Sequence, residues 1–172
     1  YFAWQKVVNG EFEPGVGYTP ADKADDAIAW IEQQGDEPWF MWFAFNLPHT
    51  PLHLPPDENW QTDHDELDRN AISAEDSIAY FNSMIEAMDT QIGRVLASIE
   101  PEVRENTYVI FLGDNGTIGR TISPPFDSAR AKSTIFQGGV NVPLLITGPG
   151  VDRGAESEAL VNSSDLFFTI ME

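Results

Sequence analysis

Apolar positions along this chain fall into two kinds of block, periodic and continuous. Over residues 20–34, Ala24, Ala27, Ile28 and Ile31 recur at steps of three and four, the spacing of one helix face. Thr19 stands as N-cap, Pro20 at the first helical position and Asp22 in the first turn, and Gly35 closes the segment, a full set of helix start and stop signals. Over 75–99 the periodicity is clearest. Ile78, Phe81, Met84, Ile85, Met88, Ile92, Val95, Leu96 and Ile99 mark a long amphipathic helix, and Pro101 follows its end. Residues 39–45, 107–112 and 142–147 are instead continuous apolar runs bounded by turn residues. Runs of that length read as strands buried on both faces. Ser163 or Ser164 caps a last helix, and residues 1–19, rich in Gly and aromatics, read as a loop or short hairpin.

Helix and buried strand alternate, so the pattern predicts an α/β fold with a mostly parallel sheet flanked by helices. The three runs are expected to lie parallel in one sheet, with helices 20–34 and 75–99 on its faces. Residues 46–73 have no period, and Pro48, Pro51, Pro55 and Pro56 exclude helix or central strand there. A loop this long in a compact domain is usually functional. Residues 117–131 form a second loop, and no internal repeat or low-complexity tract is visible.

Composition narrows the classes. The chain has 172 residues, 9 Lys+Arg against 28 Asp+Glu, a net charge of −19 and no Cys. Its length suits one domain, 1–172, and 42% apolar residues exclude a disordered acidic tail. Such acidity argues against nucleic acid and anionic membranes as partners, because cationic contact with phosphate dominates there. No apolar run approaches the roughly 18 residues of a membrane span. Without Cys, disulfides, thiolate metal sites and a Cys nucleophile are excluded within the chain. It opens at Tyr1 and closes at Met171-Glu172 inside a predicted helix, so it reads as a middle segment truncated at both ends.

In open α/β sheets ligands collect beyond the carboxyl ends of strands. Three groups fall there: residues 46–49 with His49, Asp114-Asn115, and Lys132 on the loop before the last run. A carboxylate beside an amide offers the oxygen donors that a hard cation takes. A nearby His and Lys suit proton transfer and anion stabilisation. Each group also has a plainer reading. Asp114-Asn115-Gly116 is a good turn, His49 an exposed loop His and Lys132 a solvated Lys. His53 and His64 keep the same plain reading as loop histidines. The cluster Asp63-His64-Asp65-Glu66-Asp68 lacks the Gly and terminal Glu of a Ca²⁺ loop and is read as a solvated acidic loop. Trp42 and Trp60 are read as core before sugar platforms.

Four stretches, in this order, resemble the sulfatases of the alkaline phosphatase superfamily. Pro38-Trp-Phe-Met-Trp-Phe-Ala-Phe-Asn-Leu-Pro-His-Thr-Pro51 is similar to the family's strand and Pro-His-x-Pro loop. Tyr80-Phe-Asn-Ser-Met-Ile-Glu-Ala-Met-Asp-Thr-Gln-Ile-Gly-Arg94 resembles its central helix. Asn106-Thr-Tyr-Val-Ile-Phe-Leu-Gly-Asp-Asn-Gly116 resembles its metal strand, and Lys132-Ser-Thr-Ile-Phe-Gln-Gly-Gly-Val-Asn-Val-Pro143 its Lys loop. The resemblance implies an alkaline phosphatase-like fold and a sulfatase that hydrolyses small-molecule or sugar sulfate esters. It implies Asp114 and Asn115 as ligands to Ca²⁺, with Mg²⁺ the other ion that suits them. It also implies His49 as acid on the leaving-group side, Lys132 on the sulfate, and a periplasmic or secreted location. The family's formylglycine arises within Cys/Ser-x-Pro-x-Arg. No such motif is present, since Ser123-Pro124-Pro125 continues with Phe126 and Asp127, so the nucleophile is expected outside this chain. The smaller C-terminal subdomain is likewise expected to be absent. Ala131, Ser133 and Gln137 depart from the Gly, Gly and Glu usual around the Lys. Two readings stand beside this one: a phosphate or phosphonate ester hydrolase of the same superfamily, and a non-catalytic acidic α/β module. An open sheet edge would also favour self-association.

Overall fold

The computed structural model describes residues 1–60 and 62–172. Two long helices organise it: α1 (Thr19–Gln34) and α2 (Ser77–Ser98), packed against each other. Both fall within two residues of their predicted ranges. The start of α1 differs in detail. Tyr18 occupies the N-cap, and Thr19 turns its hydroxyl to the Tyr1 carbonyl (2.8 Å). Gly35 ends α1 at φ 56°, a backbone region that favours glycine.

The opening residues form the hairpin of β1 (Gln5–Val8) and β2 (Glu11–Pro14). Asn9 and Gly10 connect them with φ of 52° and 91°, the twin positive values of a primed two-residue turn. Lys6 ties the hairpin to α1 through Asp22 and Asp26 (2.9 and 2.6 Å), and these two hydrogen bonds hold its ammonium above its ordinary pKa.

After α2 the chain makes α3 (Pro101–Glu105), with Pro101 in its first turn. It then passes through β3 (Val109–Leu112), α4 (Gln137–Val140) and β4 (Leu144–Thr147), and ends in α5 (Asp165–Met171) behind Ser164. Here the structure corrects the expected parallel sheet. β3 and β4 pair antiparallel, Val109 opposite Thr147 and Leu112 opposite Leu144. A parallel pair needs a crossover that carries the chain back along the sheet. The connection here holds only short turns and α4. It therefore returns to the end of the ladder that it left, where Gly113 N–H donates to the Pro143 carbonyl at 3.0 Å.

Residues 39–45 are corrected as well. They are extended, but they join no ladder among the described residues. Their burial alternates. Trp39, Met41 and Phe43 pack on a cluster of Ala24, Ala27, Ile31, Val95 and Ile99 from the two helices, whereas Phe40 and Trp42 are 63% and 78% exposed. The run is thus covered on one face, not two.

A second cluster lies toward the other end of the helix pair. Leu47, Leu52, Leu54 and Leu67 from the long loop meet Tyr18, Tyr80, Met84 and Ala87. Hydrogen bonds hold the loop to α2: Gln91 Nε2 to Asn59 Oδ1, Thr90 Oγ1 to the Asn59 carbonyl (3.1 Å) and Tyr80 Oη to the Asp68 carbonyl (2.8 Å). The loop that carries His49 therefore rests on a packed base.

Candidate active site

Asp114 and Asn115 leave the carboxyl end of β3 on a turn stitched to the loops before β4. Gly116 N–H donates to the Gly139 carbonyl at 2.9 Å, and Lys132 N–H to the Thr117 carbonyl at 2.8 Å. Close backbone approach requires glycine here, because a Cβ on Gly116 would stand 2.0 Å from the Gly138 oxygen. Asp114, Asn115 and Lys132 therefore share one loop cluster. Its outer turn, Gly119–Thr121, lies against α2.

The two acidic-loop aspartates and Asp114 behave differently. Asp63 and Asp68 accept from backbone N–H groups two residues on, at 2.9 and 2.7 Å, as short polar side chains in turns commonly do. Asp114 and Asn115 are exposed, and no side-chain hydrogen bond to them is made among the described residues. Their oxygens are open to an external donor or cation. Lys132 is half-buried, without an ion pair among the described residues.

His49 sits on a turn closed by its own N–H to the Asn46 carbonyl (3.1 Å). The Tyr1 hydroxyl reaches both ends of that turn, 2.5 Å from the Asn46 carbonyl and 2.7 Å from the His49 carbonyl. The imidazole Nδ1 lies 2.9 Å from the Thr50 carbonyl. A carbonyl only accepts, so Nδ1 carries the proton and Nε2 is the open nitrogen of an exposed ring. Among the described residues, no hydrogen bond, ion pair or ring contact joins the His49 turn to the Asp114 loop cluster.

The other histidines face inward. His53 Nδ1 donates to the Pro51 carbonyl (3.0 Å) and Nε2 accepts from Tyr18 Oη (2.9 Å). Burial lowers its pKa below the ordinary value and raises that of Tyr18. His64 pairs with Glu86 at 2.9 Å and meets the Trp60 ring edge-on at 5.4 Å. Trp60 is also covered by Arg69 at 5.2 Å, so it packs inward.

The open carboxylate and amide oxygens suit a hard cation, but they form a partial set. Ca²⁺ takes six to eight oxygen ligands, and no group of three His, Cys, Asp or Glu residues gathers among the described residues. The part of Tyr1 in the His49 turn has no sequence signal. A single Tyr 48 residues from its partner belongs to no motif.

Comparison with known proteins bears on these residues. The sulfatase family model matches residues 3–172. An uncharacterized sulfatase, YdeN, of Escherichia coli is 23% identical over 95% of this chain and 29% of its own length. A sulfatase of Formosa agariphila is 27% identical over 86% of this chain and 28% of its own. Human N-acetylgalactosamine-6-sulfatase is 26% identical over 84% and 26%. Among solved structures, i-CgsB in complex with a neocarrahexaose aligns with a TM-score of 0.65 at 23% identity, over 83% of this chain and 30% of that one. That likeness gives the alkaline phosphatase-like fold. The chain spans less than a third of the length of these relatives. With the family model matched over nearly its whole length, the chain belongs to the sulfatase family.

Proposed function

We propose that this chain is a portion of the catalytic domain of a longer sulfuric ester hydrolase, and that it supplies the metal and leaving-group side of the site. One observation carries the reading: in a chain of this family, Asp114 and Asn115 present unused side-chain oxygens just beyond β3, with Lys132 on the adjoining loop. Asp114 and Asn115 would hold the cation, Ca²⁺ by preference. A divalent cation there supplies positive charge against the non-bridging oxygens of the ester. Lys132 adds a second positive group for the same anion. His49 keeps one proton on Nδ1 against the Thr50 carbonyl, so the second proton of its imidazolium would sit on Nε2 and pass from there to the departing alkoxide, leaving the neutral ring. The nucleophile, a formylglycine, lies outside this chain.

The substrate class is a small-molecule or sugar sulfate ester, and the enzyme acts in the periplasm or is secreted. Among the described residues no helix is long and apolar enough to cross a membrane. Copies of this chain also associate through the exposed face of residues 39–45. A phosphate or phosphonate ester would present the same tetrahedral anion, so both belong in the assay.

The test uses the full-length protein. It should release sulfate from an alkyl or sugar sulfate faster than phosphate from the matching phosphate ester. Asp114→Ala and His49→Ala should each lower sulfate release by about 10²-fold or more, whereas His64→Ala should change little. Faster phosphate release would overturn the sulfatase reading. So would sulfate release by the 172-residue chain above its His49→Ala control, because it would place the nucleophile within this chain.

A further inference from the structure

We infer that Tyr1 is a positioning residue for His49: its hydroxyl clamps the two ends of the His49 turn and sets where the imidazole stands. This rests on the reading of His49 as the proton donor. The imidazole is exposed and, among the described residues, its side chain is held only by the Thr50 carbonyl and, at 3.5 Å, the Thr50 hydroxyl. Its place in space therefore follows the backbone of residues 46–49. That backbone has one internal hydrogen bond, His49 N–H to the Asn46 carbonyl. The second restraint is Tyr1, whose single hydroxyl proton is shared between two carbonyls 2.5 and 2.7 Å away.

Tyr1 is in turn anchored at the start of α1. Its carbonyl accepts from Thr19 N–H (2.9 Å) and Thr19 Oγ1 (2.8 Å), and its ring lies on that of His53 with centroids 4.2 Å apart. Burial pushes the phenol up to about 12, so the hydroxyl stays protonated and keeps donating. The path runs from α1 through Thr19 and Tyr1 to the His49 turn. A displacement of about 1 Å at a reacting group costs up to roughly 10²-fold in rate, so a clamp of this kind acts on turnover before it acts on folding.

The experiment separates proton delivery from general loosening. Two sulfate esters are compared on the full-length enzyme: 4-nitrophenyl sulfate, whose leaving group departs without a proton, and an alkyl sulfate, whose alkoxide needs one. His49→Ala should depress kcat on the alkyl ester far more than on the nitrophenyl ester. Tyr1→Phe keeps the ring and removes the clamp. It should lower alkyl-ester kcat by about tenfold, leave KM nearly unchanged and leave the nitrophenyl ester almost unaffected. Tyr18→Phe removes the neighbouring hydrogen bond to His53. It should lower the melting temperature without changing the ratio of the two rates.

Equal losses on both esters in His49→Ala would overturn the proton-donor reading and this inference with it. A selective loss in His49→Ala with no change of ratio in Tyr1→Phe would overturn the clamp alone. A ratio shift in Tyr18→Phe as large as in Tyr1→Phe would also overturn it, because loosening would then suffice. If Tyr1→Phe does not fold, Thr19→Val releases the anchor while keeping the phenol. It should give the same shift in smaller measure, and an unchanged ratio would overturn the clamp.

Discussion

At the scale of single residues, the three histidines divide by which nitrogen is left over. His49 has an open Nε2, whereas His53 spends both nitrogens on the Pro51 carbonyl and the Tyr18 hydroxyl, and His64 turns to Glu86. Burial favours the neutral ring at His53, in which Nδ1 donates to the Pro51 carbonyl and Nε2 accepts from the Tyr18 hydroxyl. Burial lowers its pKa below the ordinary 6.5. Above that value neither the folded nor the unfolded chain protonates His53, and its contribution to stability is whole. Below it the unfolded chain takes up the proton first, so the contribution falls as pH drops toward the folded pKa. The stability gap between the native chain and His53→Gln should therefore narrow from about pH 7.5 to about pH 5.5, read as urea midpoints at each pH. A gap that widens on acidification would mean the folded state holds the imidazolium.

Residue identity was legible at these positions to different depths. The sequence already sets Asp114, just beyond a strand-like run, apart from Asp63 and Asp68 in the acidic loop, and the structure adds that the latter two bond the backbone of their own turns. The Asn46 side-chain oxygen is buried without a partner among the described residues, and nothing in the Asn-Leu-Pro-His order announces it. Tyr1 acts across the fold, and its role needed the structure.

At the scale of elements, periodicity located both long helices but not the rotation of α2. The apolar stripe includes Ile78 and Ile85, yet these are 42% and 38% exposed, while Ser77, Tyr80, Ser83, Met84, Ala87 and Gln91 are buried. The buried face is set by what covers it: Tyr80, Met84 and Ala87 meet Tyr18 and the loop residues Leu47, Leu52, Leu54 and Leu67, and Gln91 bonds Asn59. The two criteria rank substitutions oppositely. By apolarity Ile85 belongs to the core and Ala87 is incidental. By packing, Ala87→Leu should destabilise this chain by about 1–3 kcal/mol and Ile85→Ser by about 0.5 kcal/mol or less, measured by urea denaturation. A larger loss from Ile85→Ser would show that the stripe, not the observed face, is the core. Strand pairing was less legible still. The runs at 107–112 and 142–147 contain β3 and β4, but the direction of pairing depends on where the connecting loop returns, and a stretch of turns encodes that weakly.

At the scale of the whole molecule, the acidic charge and the uncovered apolar faces oppose each other. Residues 39–45 make no backbone–backbone hydrogen bond among the described residues, and only Lys23 Nζ reaches the Ala44 carbonyl, at 3.4 Å. An extended segment with free N–H and C=O groups is a template for pairing with another chain. Phe40 and Trp42 offer that partner an apolar face. A net charge of −19 on each copy resists the encounter, and salt screens this repulsion over a Debye length of about 8 Å at physiological ionic strength. Copies of the 172-residue chain should therefore associate more strongly as salt is raised, the reverse of assembly through ion pairs. Phe40→Lys with Trp42→Lys places charge on the exposed face and leaves Trp39, Met41 and Phe43 on the helices, so the fold should persist while association is lost. Sedimentation velocity across a salt series reads both effects. A native chain that stays monomeric at high salt would show that the uncovered strand is tolerated in water, and association unchanged by the double substitution would place the contact on another face.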